Sequence, residues 1–86
     1  MVNYMDEIKK VAAHWGDRMP MMAMEECGEL IQAISKDERY RNTFTEEKLL
    51  EEMADVVISI CALMELRELT PEDLQEKIDA KLMKNY

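Results

Sequence analysis

Met53-Ala-Asp-Val-Val-Ile-Ser-Ile-Cys-Ala-Leu-Met-Glu-Leu66 contains only three polar residues, Asp55, Ser59 and Glu65. At roughly 100° per residue on an α-helix, Met53, Val56, Val57, Ile60 and Met64 form one apolar arc. Ile58, Cys61 and Leu66 fall outside that arc. A helix that is apolar nearly all round has to be buried nearly all round. The rest of an 86-residue chain offers about three further short helices, too few to cover it. A second subunit would. The stretch therefore predicts an all-α, four-helix bundle-like single domain over residues 1–86. It also predicts assembly as an obligate homodimer or, as a dimer of dimers, a homotetramer.

The other helices follow from their start and stop signals. Tyr4, Ile8, Val11, Ala12 and Trp15 repeat at helical spacing, predicting a first helix from Val2 or Asn3 to Trp15. Gly16-Asp17-Arg18 breaks it. A second helix runs from Met19 to Lys36 or slightly beyond, with Pro20 tolerated in its first turn. Asp37 to Asn42 reads as a loop or a fraying helix end. Thr43-Phe-Thr-Glu46 fits a capping box, so the third helix starts there and runs to about Leu69. Thr70-Pro-Glu-Asp73 is a strong start signal for a fourth helix ending near Lys84.

Composition bounds the function. The net charge of −8 argues against a nucleic-acid polymer as partner and suits a protein that holds cations. No apolar run approaches the ~18 residues of a membrane span, so no membrane partner is expected. The N-terminus lacks the blocks of a signal peptide. Cys27 and Cys61 lie in apolar helical stretches without ligand-like spacing. They read as buried thiols, which fits a cytoplasmic protein.

Two carboxylate pairs lie where hydrophobic surface should be buried. Glu26 and Glu29 form one and Glu52 and Asp55 the other, each at i, i+3 spacing on one helix face. Glu26 shares its face with Met19, Met22, Leu30 and Ala33; Glu52 and Asp55 share theirs with Val56, Ser59 and Leu63. Surface acids recur at such spacings by chance, and Glu25, Glu46, Glu47 and Glu51 fall mostly on polar faces. Two pairs inside apolar arcs of successive helices are far more specific. Four carboxylates so placed repel one another and are costly to desolvate. A divalent cation removes both problems. All-oxygen ligands select Mg²⁺, with Mn²⁺ possible. Di-iron bundles use Glu-x-x-His pairs, and the single histidine, His14, is not three residues from any of these acids.

The order Glu25-Glu26-x-x-Glu29 followed by Glu52-x-x-Asp55 resembles the MazG-like all-α nucleoside triphosphate pyrophosphohydrolases, whose signature is EExxE then ExxD. The resemblance implies a helical oligomer and Mg²⁺-dependent cleavage of a (deoxy)nucleoside triphosphate to the monophosphate and pyrophosphate. It implies metal ligation by Glu26, Glu29, Glu52 and Asp55, with Glu25 and Glu26 as the catalytic pair. Glu25 would position water. Lys81-x-x-Lys84-Asn85 resembles a tail that sits near the substrate in many relatives, although this chain reaches Tyr86 without the Arg that follows there. Lys81 and Asn85 are thus phosphate-binding candidates. Lys36, two turns after Glu29, is another, or else a favourable charge near a helix C-terminus. His14 or Trp15 could stack on a base; core or interface packing is the preferred reading of Trp15. The Met19–Met24 cluster reads as adaptable packing or as part of a base pocket. Two other functions fit the residues. One is a non-catalytic metal- or nucleotide-binding helical oligomer; the other is a helical protein built only for assembly.

Overall fold

The computed structural model describes residues 4–40 and 45–85, with the side chains of positions 40 and 85 left out. All regular structure in those residues is helical: α1 Tyr4–Trp15, a 3-10 turn Gly16–Arg18, α2 Met19–Tyr40, α3 Glu46–Leu66 and α4 Pro71–Asn85. Gly16 has a φ of 50°, a left-handed conformation that glycine adopts without penalty. It lets the chain leave α1 and re-enter a helix three residues later.

The second helix continues to Tyr40, so residues 37–40 belong to its end and not to a loop. One boundary differs from the sequence reading: the third helix ends at Leu66 and not Leu69. There Leu69 N–H donates to the Met64 carbonyl at 2.9 Å and Glu68 N–H donates to Glu65 at 3.2 Å, with Glu68 at φ 57°. This is a Schellman ending, and Glu68 fills the left-handed position that usually holds glycine. The start of α3 is capped by Thr45, whose hydroxyl accepts from Lys48 N–H at 3.1 Å. Thr43 of the expected capping box lies outside the described residues. At α4 the expected start is present in full. Thr70 N–H donates to Asp73 Oδ2 at 2.8 Å, and Asp73 N–H donates to Thr70 Oγ1 at 3.1 Å.

The core is built mainly from small side chains. Ala12, Ala23, Ala33, Ala62 and Ser59 are buried, with Ile8 and Met19 as the large members. Small residues let helices approach closely. α2 and α3 share the largest interface, and α1 lies on α3 through Ile8 and Ala12 against Ala62. Of the expected bundle of four, three helices pack together within the chain. The described side chains of α4 are all exposed. Its Leu74 and Ile78 line an apolar groove of about 650 Å³, together with Ile8 of α1 and Val57, Ile58 and Cys61 of α3. Both cysteines are free thiols. Cys61 is half-buried, but Cys27 is exposed, contrary to the reading of both as buried; it lies at the flank of the α2 face that holds Met19, Ala23 and Ala33.

Candidate metal centre

The α2–α3 contact sets the site. The buried Met19, Ala23 and Ala33 fix which face of α2 meets α3, and Ser59 and Ala62 do the same for α3. Glu26 and Glu52 lie on those faces and are half-buried; Asp55 is exposed. One carboxylate oxygen from each of Glu26, Glu52 and Asp55 lies within 4.8 Å of the other two. Glu26 Oε2 and Glu52 Oε2 are buried and have no hydrogen-bond partner.

Buried polar atoms are almost always paired, because an orphaned one forfeits its hydration. Two orphaned anionic oxygens in one cluster are costlier still. Burial raises the Glu26 carboxyl above the usual glutamate range, and the neighbouring charges of Glu29, Asp55, Glu52 and Glu25 raise it further. A hard cation would supply what these oxygens lack.

Glu29 is exposed and gives no oxygen to this group of three, although its charge acts on Glu26 more strongly than that of any other neighbour. Glu25 is exposed on the adjacent angle of α2. A cavity of about 190 Å³ adjoins the cluster. It is lined by Val11 and Trp15 of α1, Met19, Met22 and Glu26 of α2, and Asp55, Ile58 and Ser59 of α3. Ser59 Oγ donates to the Val56 carbonyl at 2.9 Å. The Trp15 ring is held by Arg18, whose guanidinium carbon lies 5.0 Å from its centroid, and by His14, edge-on at 4.9 Å.

Two of the candidate phosphate ligands lie elsewhere. Lys36 is exposed on α2 about 10 Å along the helix from Glu29. Lys81 is exposed on α4, and the side chain of Asn85 lies outside the described residues. Neither Lys36 nor Lys81 lines the cavity, whose described walls come from α1, α2 and α3. In the sequence, packing is the preferred reading of Trp15, Met19 and Met22 stand open between packing and a base pocket, and Ser59 shares the carboxylate face. That these side chains enclose a space depends on the Gly16 turn, which no periodicity reports.

The family description of the MazG nucleotide pyrophosphohydrolase domain matches residues 17–85. The chain belongs to the MazG family. The matched stretch holds α2, α3 and α4 and therefore all the clustered carboxylates. MazG proteins act on nucleotides and are typically metal-dependent. No curated protein and no solved structure matches the chain. No helix among the described residues is long and apolar enough to cross a membrane.

Proposed function

We propose that this MazG-family chain is a Mg²⁺-dependent nucleoside triphosphate pyrophosphohydrolase that converts a (deoxy)nucleoside triphosphate and water to the monophosphate and pyrophosphate. The observation that carries the reading is the pair of buried, unpartnered oxygens on Glu26 and Glu52, within an all-oxygen cluster completed by Asp55. These donors fit Mg²⁺, with Mn²⁺ able to replace it. Glu29, one turn from Glu26, is the fourth ligand in this reading. When bound, the ion supplies charge neutralisation at phosphoryl oxygens and a more acidic water.

The chain's own residues have three tasks. Glu26, Glu52 and Asp55 set where the phosphates sit. Glu25, with Glu26 the catalytic pair, positions the attacking water. Lys36, Lys81 and Asn85 are the phosphate-binding candidates. Lys81 stands exposed on α4, which lines no described part of the cavity beside the cluster. A homodimer or homotetramer is supported by exposed apolar side chains on α3, among them Leu50, Met53, Val57, Ile58 and Ile60.

Pyrophosphate release from a panel of nucleoside triphosphates in Mg²⁺ tests the reading. Glu52→Gln keeps the shape and removes one ligand charge, so activity should fall by several orders of magnitude with the fold intact. Glu51→Gln is the matched control. Glu51 is exposed and pairs with Lys48 at 3.7 Å on the surface, so this variant should stay within about twofold of the parent, as expected for a weak surface pair. Equal activity of the two variants would sink the assignment. Metal-dependent melting without pyrophosphate release would favour a non-catalytic binding oligomer.

A further inference from the structure

The groove of about 650 Å³ between α1, α3 and α4 is lined by apolar side chains and by two acids, Glu7 of α1 and Glu65 of α3. No Lys, Arg or His is among its described lining residues. Glu7 meets Lys10 at 3.2 Å on the exposed face of α1, a pair of small worth. Glu65 is half-buried, and among the described residues no cation reaches it. The groove takes several large side chains, since a pocket for a drug-sized ligand is roughly 300–1,000 Å³. An apolar groove edged by acids fits an amphipathic helix with a basic flank.

The chain carries such a helix. The first half of α4 lines the groove through Leu74 and Ile78. The second half lines none of it, and Leu82 and Met83 stand 53% and 87% exposed. Leu74, Ile78 and Leu82 recur at four-residue steps, which makes one stripe, and Lys77, Lys81 and Lys84 run along one flank of it. α2 and α3 also expose apolar side chains, but both carry more acids than bases. The accessible surface of 7304 Å² exceeds the roughly 5,300 Å² of a compact monomer of this mass by more than the ~800 Å² that a standard interface takes from each partner. We propose that the groove is the seat for residues 77–84 of α4 from a second copy of this chain. The exchange is reciprocal about a two-fold axis, so each copy gives one helix end and receives one. The partner's Leu82 joins the apolar lining, and the lysines beside it reach Glu65 and Glu7. This contact deepens the homo-oligomer reading above and rests on it; it does not depend on the reaction assigned to the chain.

The native thiols make the contact testable, because Cys61 lines the groove and Cys27 does not. In a full-length Cys27→Ser background, Leu82→Cys or Met83→Cys puts a second thiol on the projecting half of α4. Mild oxidation joins two thiols only where their Cα atoms come within about 7 Å. At least one of the two variants should give a covalent dimer on a non-reducing gel, with Cys61 of one copy joined to the new thiol of the other by peptide mapping. Cys27→Ser alone should give none. Independently, Lys81→Glu combined with Lys84→Glu should weaken association about tenfold in sedimentation, and Glu65→Lys added to that pair should restore most of it. A link that closes within one chain, no link in either variant of a dimeric parent, or unchanged association after charge reversal would overturn the seating and leave the homo-oligomer standing. A parent that sediments as a monomer would overturn both.

Discussion

At Glu26 one oxygen is buried, no donor reaches it, and four other carboxylates act on it. The folded state therefore holds the Glu26 proton to higher pH than the unfolded chain does. By linkage, the stability that goes with the retained proton is present below the ordinary glutamate pKa. It is lost as pH rises from that value through the raised one. Mg²⁺ needs the ionised form, so its affinity should weaken as pH falls through the same window. We predict that in EDTA the parent protein melts progressively lower than Glu26→Gln as pH rises through the window. Saturating Mg²⁺ should raise the parent's melting temperature and leave that of Glu26→Gln nearly unmoved. Calorimetric melting of both proteins across the acid range checks this. A parent that gains on Glu26→Gln as pH rises without metal would contradict it. The cluster was legible because i, i+3 spacing on a helix fixes a shared face. The separate position of Glu29 was not, because a helical wheel gives the angle of a side chain but not which of two acids reaches the next helix.

Helix ends show the same division between local and tertiary information. Thr70-Pro-Glu-Asp73 announces α4 because every partner in its cap lies within four residues. The end of α3 carries no such announcement. Glu68 occupies a left-handed position that glycine would mark, so the sequence reads on to Leu69. What selects the ending is the pairing of Leu69 and Glu68 with the Met64 and Glu65 carbonyls, and Met64 and Leu69 both line the apolar groove. A β-carbon at φ 57° costs roughly 1 kcal/mol, which glycine avoids. Glu68→Gly should therefore raise the melting temperature by about 4–8 °C for a chain of this size, with activity retained. Thermal unfolding by circular dichroism measures it. A lower melting temperature would mean that Glu68 makes stabilising contacts outweighing the strain.

The molecule as a whole is too open for its length. Its radius of gyration is 14.9 Å, where a compact chain of 86 residues would have about 12 Å. Its accessible surface is 7304 Å², against about 5,300 Å² for a compact monomer of this mass. The difference, roughly 2,000 Å², exceeds the ~800 Å² per partner that a standard interface buries. Much of the excess is apolar and ordered. On α2, Met24, Ile31 and Ile34 are exposed along one face with Cys27. On α3, Leu50, Met53, Val57 and Ile60 are exposed at alternating spacings of three and four, the spacing of a seam that packs against other helices. The apolar circumference of α3 was thus legible from sequence, whereas the position of α4 beside the groove was not. Val57 gives the sharpest test of what covers this surface. It is 58% exposed in the single chain, so in a folded monomer Val57→Glu would be a surface change worth about 0.5 kcal/mol at most. If a second copy covers it, the same substitution buries an unpaired charge. The variant should then dissociate, aggregate or melt far below the parent. Light scattering and melting at micromolar concentration check this, and a parent that is itself a folded monomer under those conditions would refute the assembly.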